Sequence, residues 1–168
     1  MDLREAVITI PAIMMAVILH EYAHGWMAYK MGDATAKEAG RLTINPIPHI
    51  DLFGTIILPA MFILIGSPIL FGWAKPVPIN PLRFRDLKLG TFFVSTAGIG
   101  MNLLLALLSG FFYRLIDAGY LDFLGSAVVL PLAIFCAKLV LINVVLAVFN
   151  AIPIPPLDGS RALMSFFS

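Results

Sequence analysis

The chain has 168 residues, of which 60% are hydrophobic and 12% charged, with a mean hydropathy of +0.96. Soluble domains carry about 25% charged residues, and a domain of this size has no interior large enough to hide so much apolar surface. A soluble fold is therefore excluded in favour of an integral membrane protein, and a formal net charge of +1 offers no basic stripe for nucleic acid. The length fits a single domain over residues 1–168. The lone cysteine, Cys136, rules out an internal disulfide and reads as a small buried hydrophobe.

In chain order, residues 6–29 form a first apolar stretch long enough to span a bilayer, with Pro11 tolerated near its start. No small-residue cleavage pattern follows Arg4 and its apolar run, so the segment reads as a retained helix and not a signal peptide. A polar connection follows over residues 30–51, where 39–44 has strand character and Asn45-Pro46-Ile47-Pro48 breaks it. Residues 52–74 lack any charge and predict a second spanning helix, broken near Gly66-Ser67-Pro68. Three prolines in Lys75-Pro76-Val77-Pro78-Ile79-Asn80-Pro81 exclude a helix and favour an extended segment.

Residues 90–113 predict a third span, in which Ser95, Ala97, Gly98 and Gly100 allow a neighbouring helix to approach closely. A last apolar stretch, 123–157, is interrupted by Lys138 and ends in Asn150-Ala151-Ile152-Pro153-Ile154-Pro155-Pro156-Leu157-Asp158-Gly159. Prolines at that density unwind a helix, and non-helical backbone at membrane depth belongs inside protein or beside a water-filled cavity. Lys138 reads as a snorkelling side chain, the alternative being a buried pair with an acidic partner. The expectation is an all-α polytopic membrane protein of about four transmembrane helices. The last is broken near the PxPPLDG segment, and short strand-like hairpin or edge elements occupy the loops. Assigning loops to alternate sides of four spans gives five basic residues against four, which decides no orientation.

The chemistry lies in His20-Glu21-Tyr22-Ala23-His24, an HExxH motif. Residues four apart share a helix face, so His20 and His24 can grip one metal ion while Glu21 reaches a water on it. Ionisable groups within a spanning helix are costly and usually functional, although an interhelical hydrogen-bond cluster is the bland alternative. Catalytic zinc needs a third protein ligand and an open position. The candidates are His49, Asp51 and Asp158, and Asp158 is preferred because a metal bond compensates a charge placed where charge is costly.

The blocks HEYAHG (20–25), NPIPHIDLFGT (45–55), FGWAKPVPINP (71–81) and FNAIPIPPLDGSR (149–161) tile most of the chain. In these blocks the sequence resembles the site-2 protease family of intramembrane zinc metalloproteases, in its short prokaryotic form. The resemblance implies one zinc per chain, held by His20, His24 and Asp158, with Glu21 as general base. It implies that Asn150 lies near the active site, helping to hold substrate backbone or the oxyanion, and that His49 has an auxiliary hydrogen-bonding role beside it. Two departures stand out: Ala97-Gly98-Ile99 lacks the family's proline after Ala-Gly, and Leu52 replaces a common proline. Family members also commonly continue through further helical sequence beyond the position of Ser168.

The expected activity is hydrolysis of peptide bonds within or near transmembrane segments of single-pass proteins, by a multi-pass protein among the lipids of a prokaryotic inner or plasma membrane. An unwound substrate segment can add to an exposed strand edge. The candidate edges are Gly40, Arg41, Leu42, Thr43 and Ile44, and Val77, Pro78, Ile79 and Asn80; ordinary surface loops are the alternative. Competing readings are a membrane metal-binding or transport protein, and an inactive relative that binds membrane segments without cutting.

Overall fold

The structure, a computed structural model, describes residues 3–67 and 72–167. Pro68 of the expected break and Phe71 of the third motif block lie outside the described residues. Helix α1 (Leu3–Met31) ends at Gly32, whose φ of +112° is left-handed backbone. A short helix α2 (Thr35–Glu38) and a single 3-10 turn at Ile47–His49 follow. A wide helical turn over Leu52–Ile57 then continues into α3 (Leu58–Leu64). Residues 72–80 carry no regular secondary structure, a 3-10 turn follows at Pro81–Arg83, and the first turn of α4 (Leu87–Asp117) is capped by Asp86 accepting the Leu89 N–H at 2.8 Å. Helix α5 (Ser126–Ala151) ends before Pro153, residues 152–157 are non-helical, and α6 (Asp158–Met164) closes the described chain.

Three helices, α1, α4 and α5, are long and apolar enough to cross a membrane. The expectation of a fourth span over 52–74 is corrected: the apolar helix there covers only Leu52–Leu64. The chain then turns back, so that Trp73 N–H donates to the Gly54 carbonyl at 3.1 Å and Thr55 Oγ1 donates to the Trp73 carbonyl at 2.8 Å. Gly54 is required there, since a Cβ would sit 2.4 Å from the Trp73 indole. The expected strand-like hairpin is also absent, with no strand among the described residues. Pro76, Pro78 and Pro81 have no N–H to enter a ladder. The carbonyls of Lys75 and Pro76 are instead taken by the Arg41 guanidinium, at 2.7 and 3.3 Å.

Helix α4 lies at the centre, packed against α1, α5 and α6. Its buried side, Val94, Ser95, Gly98, Asn102, Leu105, Ala106 and Ser109, recurs at helical spacing and is built mostly from small residues. On α1 the buried row runs Ala12, Ala16, His20, His24 and Ala28, each four residues after the last. The two histidines thus belong to a stripe that small neighbours allow to pack against α4. Lys138 on α5 pairs with Glu5 on α1 at 3.3 Å, which supplies the acidic partner that the sequence reading lacked.

Candidate metal centre

The α1 row carries both histidines into the middle of the bundle, with their Nε2 atoms 2.9 Å apart. Asp158, at the start of α6, brings Oδ2 to 3.0 Å from His24 Nε2 and 3.2 Å from His20 Nε2. Among the described residues these three form the one group of three or more His, Cys, Asp or Glu side chains arranged to hold an ion. Both histidines are buried and Asp158 is partly so.

The opposite ring nitrogens are already committed. His24 Nδ1 lies 2.7 Å from the Val94 carbonyl, an atom that can only accept, so Nδ1 carries the proton. His20 Nδ1 lies 2.5 Å from Asn102 Oδ1. With Nδ1 donating, each Nε2 presents a lone pair to the shared point, and lone pairs this close beside a carboxylate suit a cation. Tetrahedral zinc, with bonds of about 2.0–2.1 Å, keeps its donors about 3.3 Å apart. The separations here, from 2.9 to 3.2 Å, come close to that. Gly98 of α4 leaves room for both rings, because a Cβ there would lie 2.4 Å from His24 Nε2 and 2.5 Å from His20 Cε1.

Comparison with known proteins agrees with this geometry. The chain is 42% identical over 151 residues, 90% of its length, to the Bacillus subtilis (strain 168) protein named "Putative zinc metalloprotease YwhC". This likeness agrees with the resemblance to the site-2 protease family that the motif blocks carry. It is also 30% identical over 94% of its length to "Putative zinc metalloprotease Rip2" of Mycolicibacterium smegmatis, and 32% identical over 94% to the Mycobacterium tuberculosis protein of that name. The chain spans 65% of the YwhC length and 56% of each Rip2. No family model and no solved structure matches it.

Around this candidate metal centre lies a cavity of about 230 Å³, lined by His20, Glu21, His24, Asp158 and Asn150 and by Val77 and Ile79 of the proline-rich segment. Glu21, one residue further round α1 than His20, accepts the Val77 N–H on Oε2 at 2.7 Å. Asn150, in the last turn of α5, lines the same cavity while its Nδ2 donates to the Leu146 carbonyl at 3.0 Å. The His24–Asp158 contact alone closes a sequence separation of 134 residues.

Other sequence candidates fall elsewhere. Gly40, Arg41, Leu42, Thr43 and Ile44 do not line the cavity; Arg41 supports the 75–76 backbone from behind. His49 is buried away from it, donating from Nε2 to the Thr43 carbonyl at 2.8 Å. Asp51 caps the 52–57 turn by accepting the Gly54 N–H at 2.7 Å. Pro78 is not in the lining, and the Asn80 N–H is turned to Asp33, 2.6 Å from Oδ2.

Sequence reasoning passed over Asp33, Asn102, Asn143 and Arg161. Arg161 lines the cavity from α6. Asp33 is wholly buried and accepts the Thr35 hydroxyl and N–H as well as the Asn80 N–H, joining the exit of α1 to the proline-rich segment. Burial alone would raise its carboxyl. The Thr35 and Asn80 hydrogen bonds, with the Arg83 charge, outweigh that and hold it below its ordinary value.

Proposed function

We propose that the chain is the catalytic core of an intramembrane zinc endopeptidase that cuts single-pass membrane proteins within or near their transmembrane segments. The observation that carries this reading is the convergence of His20, His24 and Asp158 in one cavity with Glu21, on a bundle long and apolar enough to cross a bilayer. The relatives, named as zinc metalloproteases, support the same chemistry. One zinc held by the three ligands would supply Lewis acidity, activating a water and polarising the scissile carbonyl.

Glu21 takes the proton from the attacking water and returns it to the leaving amine. Val77 N–H holds one carboxylate oxygen in place during both transfers. Asn150 has a second amide hydrogen that can meet the carbonyl oxygen as charge develops on it. Of the segment Val77–Asn80, Val77 and Ile79 line the cavity. The Val77 and Asn80 N–H groups are already bonded to Glu21 and Asp33, so Ile79 and the segment's carbonyls are what would hold an unwound substrate strand beside the site.

With three spans, Lys30, Lys37, Arg41, Lys75, Arg83, Arg85, Lys88 and Arg161 all fall at the active-site end, eight against Arg4 and Arg114 at the other. The protein is then a multi-pass resident of a prokaryotic plasma membrane with its active site opening toward the cytoplasm.

The decisive experiment measures cleavage of a candidate single-pass substrate in liposomes by the parent and by Glu21→Gln, with zinc assayed on both. Zinc on both chains with cutting only by the parent is the expected result. Zinc on both with equal transport or binding and no cutting by either favours the alternative of a metal carrier or a non-cutting relative.

A further inference from the structure

Beyond the ligands, the structure assigns Asn102 and Asn143 a positioning role: an amide relay from α5 through α4 fixes which ring nitrogen of His20 faces the metal. The inference rests on the reading of His20 as a ligand. Both asparagines are completely buried, each with 0% exposure, in helices otherwise lined by apolar and small residues.

The polarity of the relay follows from its far end. Asn143 lies 2.8 Å from the Leu139 carbonyl, which can only accept, so the Asn143 atom there is Nδ2 and its Oδ1 faces Asn102. That oxygen requires a donor, so Asn102 presents Nδ2 to it at 2.7 Å. The Ala16 carbonyl of α1, 3.5 Å from the same nitrogen, calls for the same orientation. Asn102 Oδ1 is thereby turned to His20, and an oxygen facing Nδ1 at 2.5 Å places the ring proton on Nδ1. Nε2 is left with its lone pair aimed at Asp158 and His24.

His24 obtains the same result in one step from the Val94 carbonyl. His20 needs two amides because the backbone acceptor that sets its orientation sits one helix further away. An amide can rotate by half a turn and a carbonyl cannot, and with the Ala16 carbonyl only at 3.5 Å, the 2.7 Å bond to Asn143 is the main hold on the orientation of Asn102. Partners of this kind typically contribute 10- to 100-fold to metal affinity.

The test uses the whole chain in detergent, with zinc affinity read by competition against a fluorescent chelator and histidine tautomers read by ¹⁵N NMR. Asn102→Leu, which keeps the volume and removes the acceptor, is expected to bind zinc roughly 10- to 100-fold more weakly and to lose the Nδ1–H signature of His20. Asn102→Asp keeps an acceptor toward His20 while removing the donor to Asn143 Oδ1, and is expected to retain the Nδ1–H signature that Asn102→Leu loses. Asn143→Leu touches no ligand; a packing role predicts parental zinc affinity, whereas the relay predicts a loss and a mixed tautomer at His20.

Parental affinity in Asn143→Leu, or loss of the His20 Nδ1–H signature in Asn102→Asp, overturns the proposal. If the parent binds no zinc, the metal reading fails, and the His20 tautomer in Asn143→Leu still decides the relay.

Discussion

The Glu21 carboxylate accepts the Val77 N–H at 2.7 Å, tying the reactive turn of α1 to the proline-rich segment that lines the cavity. Pro76 and Pro78 carry no N–H, so Val77 supplies the one backbone donor in a run of three residues, and it is spent on the proposed base. Val77→Pro deletes that hydrogen in a segment already rich in proline. The expected outcome is a roughly 10- to 100-fold fall in kcat, the scale set by misplacing a reacting group by about 1 Å, with zinc content unchanged. Val77→Ala keeps the donor and should stay close to the parent. Peptide-cleavage rates and zinc assays on the two variants check this, and equal rates for Val77→Pro and the parent would remove the bond from the mechanism.

Gly98 and Gly100 offer a paired steric test. A Cβ at Gly98 would lie within 2.4 to 2.7 Å of three ring atoms of His20 and His24, whereas one at Gly100 meets nothing within 4 Å. Alanine is intrinsically the better helix former by about 1 kcal/mol, so a loss at Gly98 can come only from the rings being pushed aside. Gly98→Ala should weaken zinc binding by at least about tenfold, in line with disturbed ligand orientation. Gly100→Ala should stay within about twofold of the parent. Chelator competition on both variants reads the difference.

The parts of the site that the sequence reveals are those with local pattern or local anomaly. His20, Glu21 and His24 are legible because a four-residue interval fixes a helix face, and Asp158 because a charge beside three prolines demands an explanation. Asn102 and Asn143 carry no such signal: a single amide in an apolar helix looks the same whether it faces a ligand or a neighbouring carbonyl. The false fourth span has a different cause. Twenty-three uncharged residues at 52–74 satisfy any length criterion, and what turns the chain back is the packing of Trp73 on Gly54, a contact between residues that no hydropathy window compares. Asp33 was passed over as an ordinary loop acid because one of its partners, Asn80, lies 47 residues away.

Asp33 makes stability depend on pH in a defined direction. Its folded carboxyl sits below the ordinary value of 3.8, so it contributes stability that is fully present above 3.8 and lost as pH falls through the lowered folded value. Asp33→Asn removes the charge but keeps an acceptor. Near neutrality the variant should be less stable by about 1–3 kcal/mol, the scale of hydrogen bonds to a buried charged group. That gap should close as the pH is taken below 3.8. Thermal melting of both chains in detergent at neutral and acid pH measures it; a gap that widens on acidification contradicts the assignment.

Topology is the remaining consequence of the return at Trp73. With four spans, residues 30–51 and 75–88 would lie on opposite sides of the bilayer. Here they are bound together: the Arg85 N–H donates to the Met31 carbonyl at 2.9 Å, the Asn80 N–H to Asp33, and Arg41 to Lys75 and Pro76. These bonds place both loops at one end, and the turn at Tyr120 between α4 and α5 at the other. Single cysteines at Ile44, Leu82 and Tyr120, which are 66%, 89% and 71% exposed, test this in a Cys136→Ala background. On intact cells an impermeant maleimide should label Tyr120→Cys, and reach Ile44→Cys and Leu82→Cys only after permeabilisation. A split between Ile44→Cys and Leu82→Cys would restore the fourth span. Joint labelling of that pair from outside, with Tyr120→Cys protected, would keep three spans and reverse the orientation, because the basic excess would then face outward against the positive-inside rule.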